Sequence, residues 1–136
     1  MSGPTPRVSF AIALSGTIWE AKAGFARAIR TGNVIRVSGT TATAPDGSAV
    51  CEGDAEGQAV YALDKILAAI LSLGGAAQDV VRTRVYLRNS TDWEAVSKVH
   101  GRYFGDTRPA NTLIGGIDLI GPYLVEIEAE AVVEAS

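Results

Sequence analysis

The chain has 136 residues, a formal net charge of −3, 47% hydrophobic and 20% charged residues, and 15 glycines. That length fits one domain burying about two-thirds of its unfolded surface; with no repeat, low-complexity tract or linker, residues 1–136 read as a single unit with a frayed tail over 1–6. One cysteine, Cys51, and one histidine, His100, exclude an intrachain disulfide and a Cys/His zinc cluster, and the lack of a ~20-residue apolar run or a secretory leader predicts a soluble, cytoplasmic protein.

In chain order, short apolar runs rich in β-branched residues come first. The clearest is Asn33 to Thr41, where Val34, Ile35 and Val37 lie between Gly32 and Gly39 and predict a strand. Ala44-Pro45-Asp46-Gly47 predicts a turn. From Asp54 to Leu73, Val60, Leu63, Leu67, Ile70 and Leu71 recur at helical spacing, and Gly74-Gly75 ends the pattern. Asp79 to Leu87 predicts another strand. Thr91 and Glu94 have the spacing of a capping box, opening a helix to Phe104 with Trp93, Val96, His100 and Tyr103 on its apolar stripe. Two last strands, Asn111 to Asp118 and Tyr123 to Val133, are separated by Gly121-Pro122. The order implies an α+β domain, with two helices on one face of a mixed, mostly antiparallel sheet.

Alternation sorts the strand residues by face. Val125, Ile127, Ala129 and Ala131 form one row of the last strand, and Glu126, Glu128 and Glu130 the other. Between Asp79 and Leu87 the apolar row is Val81, Thr83, Val85 and Leu87, opposed by Arg82, Arg84 and Tyr86; earlier, Ile35 and Val37 oppose Arg36 and Ser38. Three arginines, three glutamates, a serine and a tyrosine thus share the face away from the helices. Such a face is either a solvated surface with weak ion pairs or a subunit interface enclosing a polar pocket.

Taken together, Val37-Ser38-Gly39-Thr40-Thr41, Asp46-Gly47, Gln58, Gly75-Ala76, Asp79-Val80-Val81-Arg82-Thr83, Asp92-Trp93, Phe104, Pro109-Ala110 and Val125-Glu126-Ile127-Glu128-Ala129 resemble the Rid (reactive intermediate deaminase) family, also called YjgF. The likeness spans Phe25 to Val133. It implies a chorismate-mutase-like fold and a homotrimer with a small-molecule pocket at each subunit interface. It also implies cofactor-free hydrolysis of small enamines and imines, such as 2-aminoacrylate, to 2-oxo acids and ammonia.

By the same resemblance, Glu126 is the pocket glutamate that orients and activates water, and Ser38-Gly39 is the pair beside the ligand. Phe25 stands where many members have a tyrosine, and Ser97 where many deaminases have asparagine. The main departure follows Pro109-Ala110: the active deaminases have an arginine for the substrate carboxylate, whereas this chain has Asn111, then Thr112, as its candidate binding residues. Asparagine supplies no charge, and a hydrogen bond to a charged group contributes about 1.5–3 kcal/mol, so the usual 2-imino acid activity is expected to be reduced or absent. Arg84, on the face of Glu126, is the candidate replacement, with an ion pair to Glu126 or Glu128 as its alternative role.

His100 is expected to be a packed structural residue and Cys51 to have no nucleophilic role; no glycine pattern matches a nucleotide-binding loop, so no cofactor is expected. The leading expectation is a homotrimer that binds a small metabolite and deaminates it with Glu126. A non-catalytic ligand-binding or regulatory trimer is the alternative. Ribonuclease activity ranks last, because the acidic balance and the lack of a basic aromatic surface argue against nucleic acid as a partner.

Overall fold

The computed structural model describes residues 10–134, so the expected tail over 1–6 lies outside the described residues. The elements are β1 (Phe10–Ala13), α1 (Ile18–Ala23), β2 (Ala28–Thr31), β3 (Val34–Thr40), α2 (Ala55–Ser72), β4 (Val80–Leu87), α3 (Trp93–Phe104), β5 (Ala110–Ile114) and β6 (Val125–Val132). They build one six-stranded sheet in the order β1-β2-β3-β6-β4-β5. Every pair is antiparallel except β4 with β5. β3 and β4 flank β6 and both oppose it, so α2 is a crossover between co-directional strands and α3 is a second one. The fold is α+β.

The core lies between the sheet and α2 and α3. Ile35, Val37, Val85, Leu87, Val125, Ile127, Ala129 and Ala131 are buried from the sheet side, Leu63, Ile66 and Ile70 from α2, and Val96, Val99 and Phe104 from α3. Hydrophobic spacing locates α2 but misreads part of its buried stripe. Ala55, Ala59 and Ala62 carry much of the buried stripe, whereas Leu71 is 70% exposed. Small side chains on that stripe let the helix lie close to the sheet, and a count of large apolar residues passes over them. Gln58 is fully buried: its Nε2 donates to the Cys51 carbonyl (3.1 Å) and its Oε1 accepts from the Leu124 amide (2.8 Å). It thereby fixes the start of α2 to the approach to β6.

Four details differ from the expected pattern. The Thr91–Glu94 capping box does not open α3, because Ser90–Asp92 form a 3₁₀ turn and Asp92, the N-cap, makes no side-chain capping bond. Trp93 is 52% exposed, and Val99 and Phe104 take the buried positions beside Val96. Val81 does not join the apolar row: the β4–β6 register shifts between Val80 and Arg82, burying Val80 and turning Val81 outward. β5 ends at Ile114 because Gly115-Gly116 follows, with φ +73° at Gly116, and the Ile117 amide returns to the Leu87 carbonyl (3.0 Å).

Candidate functional site

The β3–β6 ladder slips between Val37, opposite Ala129, and Thr40, opposite Ile127. Ser38 at this bulge donates its amide to the Arg27 carbonyl (2.9 Å) and its hydroxyl to the Ala26 carbonyl (2.8 Å), holding the bulge against the segment that carries Phe25 and Arg27. At Gly39 the backbone is bare, and the Glu126 carboxylate lies across it: a Cβ there would collide with Oε2 and stand 3.2 Å from the carboxyl carbon. The result is a cleft of about 410 Å³ whose wall includes Glu126, Gly39, Phe25 and Trp19, with the two cations Arg27 and Lys65.

Three hydroxyls form a chain on the same wall. Thr41 and Thr43 are 2.7 Å apart through their Oγ1 atoms, and Thr43 donates to the Tyr123 phenol at 2.5 Å. Burial pushes the Glu126 carboxyl above its ordinary range and the Glu128 charge adds to this, while Arg27 opposes it. Arg27 is 6% exposed; burial works against its charge, and Glu20 and Glu126 support it. Glu20 is itself buried. Desolvation raises its proton affinity, but hydrogen bonds from the Ser15 hydroxyl and amide, the Arg27 charge and Thr17 hold the carboxyl below its usual range. Lys65 donates to the Thr43 carbonyl (3.0 Å), and burial together with the Arg27 charge lowers its pKa.

A second cluster sits between β5 and α3. Asn111 Nδ2 donates to Thr83 Oγ1 (2.9 Å), which meets His100 Nε2 at 2.8 Å, and these side chains and Ser97 border a cavity of about 160 Å³. The His100 ring packs 4.9 Å from Phe104, and burial lowers its pKa. β5 pairs Asn111 with Thr83, whose side chain is buried on the helix side, whereas Glu126 pairs with Tyr86 on the other face. Within one chain, Asn111 and Glu126 therefore lie on opposite faces of the sheet.

The family model for endoribonuclease L-PSP matches residues 16–133. The chain belongs to this family, the YjgF/Rid proteins. An uncharacterized protein of Streptomyces coelicolor is 40% identical over 120 residues, 86% of this chain and 87% of that protein. The 3-aminoacrylate deaminase RutC of Acinetobacter baylyi is 30% identical over 110 residues, 80% of this chain and 86% of that enzyme. A crystal structure of a Mycobacterium tuberculosis member of the YjgF family, 37% identical, superposes with a TM-score of 0.82 over 92% of this chain and 100% of the other.

In this YjgF/Rid protein the residues singled out from the sequence fall into separate places. Phe25, Gly39 and Glu126 share the cleft, and Ser38 anchors the bulge behind it. Ser97 and Asn111 border the cavity beside α3. Arg84 and Thr112 lie on the sheet face outside both: Arg84 pairs with Glu128 (3.5 Å) and Glu130 (3.6 Å), not with Glu126, and Thr112 accepts from Arg82 Nη2 (2.6 Å). The cations that face the cleft are Arg27 and Lys65, both missed from the sequence. Arg27 stands two residues after Phe25, the spacing of a shared strand face, and Lys65 stands seven after Gln58, the spacing of a shared helix stripe. Those signals were present. Among the described residues, no group of three or more His, Cys, Asp or Glu side chains is arranged to hold a metal ion, and no helix is long and apolar enough to cross a membrane.

Proposed function

We propose that the protein is a homotrimer that binds a small metabolite between subunits and hydrolyses its enamine or imine to a carbonyl product and ammonia. Glu126 carries this reading: a half-buried carboxylate with raised proton affinity, laid across a bare backbone in a cleft of ligand size. In the reaction, an enamine first takes a proton from solvent on its β-carbon to give the iminium, and Glu126 takes a proton from water as the oxygen adds to the iminium carbon. Glu126 returns that proton to the carbinolamine nitrogen and then accepts the hydroxyl proton as the C–N bond breaks, releasing ammonia and the carbonyl product, and passes this last proton to solvent. The Thr41–Thr43–Tyr123 hydroxyls supply donors and acceptors that orient water and substrate. A relative 30% identical is named as a deaminase, which supports the reaction class.

The two faces of the sheet support the interface in this reading. A pocket that uses both Glu126 and Asn111 must take them from different subunits. Asn111 brings no charge and is already bonded to Thr83, which favours a second reading, a trimer that binds its ligand without turning it over. Ammonia release from enzymatically generated imines of an amino-acid panel separates the two. Turnover by the wild type, lost in Glu126→Gln and extended towards small 2-imino acids by Asn111→Arg, supports the enzyme. No turnover of any substrate by the wild type or by Asn111→Arg leaves the binding trimer.

A further inference from the structure

Arg27 lies in the cleft wall with much of its hydrogen-bonding capacity unused. It is 6% exposed, yet among the described residues the only hydrogen bond of its guanidinium is from Nη1 to Thr40 Oγ1 at 3.3 Å, and its buried Nε has no partner. Glu20 balances the charge without accepting those protons. Its oxygens already take the Ser15 amide and hydroxyl and the Thr17 hydroxyl, and Nε remains 4.0 Å away. A buried guanidinium left with free donors is costly, so its fork is suited to a planar oxyanion.

Lys65 contributes a second cation to the same wall, with one of its ammonium hydrogens on the Thr43 carbonyl. The two cations repel each other, and an anion seated between them would relieve that repulsion. The formal charges of Arg27, Lys65, Glu20 and Glu126 sum to zero, so a monoanion leaves an excess of one negative charge. A phosphate dianion would leave two. Beside the Thr41, Thr43 and Tyr123 hydroxyls the wall has an apolar part: Trp19, Phe25 and Ile120 are 55%, 38% and 93% exposed, and the volume of about 410 Å³ exceeds what a three-carbon imino acid fills.

We propose that Arg27, assisted by Lys65, is the carboxylate receptor of this cleft, and that its ligand is a monocarboxylate with an apolar body of about the size of an aromatic ring. The proposal rests on reading the cleft as the substrate site. It places the binding charge on the segment just before β2 and on α2, in the wall that also holds Glu126, where the sequence had pointed to position 111 or Arg84.

The test is a titration of Trp19 fluorescence, in a Trp93→Phe background, with phenylacetate, its neutral isostere phenylacetamide, and phenyl phosphate. Phenylacetate is expected to bind saturably and more tightly than either of the others. Arg27→Gln should weaken phenylacetate by roughly tenfold or more and leave phenylacetamide unchanged. Lys65→Gln should weaken phenylacetate a few-fold, and it decides the question if Arg27→Gln fails to fold. No saturable binding, equal binding of acid and amide, tighter binding of phenyl phosphate, or variants that keep wild-type affinity for phenylacetate would each overturn the proposal. The two readings fail separately. Carboxylate binding that depends on Arg27 without imine turnover removes the enzyme and keeps the receptor; turnover that needs Glu126 but neither cation does the reverse.

Discussion

Glu126 is held at a cost to the fold. Its proton affinity is higher in the folded chain than in the unfolded one, so the folded state binds the extra proton over the interval above about pH 4.5. The stabilisation from this group is therefore fully present below that pH and is lost as pH rises through the folded value, where the half-buried carboxylate gives up its proton. Replacing it with an isosteric neutral amide removes the penalty. Glu126→Gln is expected to melt at a higher temperature than wild type near neutral pH, with the gain shrinking to nothing below about pH 4.5. A lower melting temperature for the variant at neutral pH would contradict this account. Alternation of Val125, Ile127 and Ala129 assigns Glu126 to the face away from the helices, whereas its role in a pocket, like that of Gly39, is what the family resemblance implies. Spacing gives a face for Arg27 and for Lys65 separately, but no single period reports that the segment just before β2 and the helix α2 meet at one wall, so the two cations were not singled out.

At the scale of elements, α2 was read to within a residue at each end because length and capping agree. Its N-cap, Asp54, accepts the Gly57 amide at 3.0 Å. Asp54→Ala should lower stability by about 1 kcal/mol in urea unfolding. Leu71→Gln, at a 70% exposed position, should stay within about 0.5 kcal/mol of wild type. A larger loss at Leu71 than at Asp54 would mean that the buried face of α2 has been misassigned. The elements before β3 were less legible. β1 and β2 have four residues each and α1 has six, too short for a period to emerge, and they gain their structure from pairing in register with β3 and from the Glu20 carboxylate that ties α1 to Ser15. Thr91 and Glu94 show the opposite error: a valid local signal gives way to a 3₁₀ turn between the end of β4 and α3.

For the whole molecule, the sheet has one face covered by α2 and α3 and one that carries Arg36, Arg82, Arg84, Tyr86, Glu126, Glu128 and Glu130. Part of that charge is satisfied within the chain, through Arg84 with Glu128 and Glu130 and through Tyr86 with Glu128 (2.8 Å). Edge strand β5 is uncovered, with Leu113 and Ile114 at 36% and 40% exposure, and Ile12, Trp19 and Ile120 are at least half exposed elsewhere. This pattern fits subunits that meet through the open face and its edges. Sedimentation of the purified protein at micromolar concentration is expected to give a trimer, and a monomer would contradict the interface. The sequence could indicate which residues share a face but not what covers it, because alternation is the same for a solvated face and a buried one. The most direct test of the central claim is ammonia release near neutral pH from a panel of enzymatically generated imines, comparing wild type with Glu126→Gln. The account predicts turnover by the wild type that is abolished in a variant still folded and still trimeric; equal ammonia release by the two proteins would contradict it.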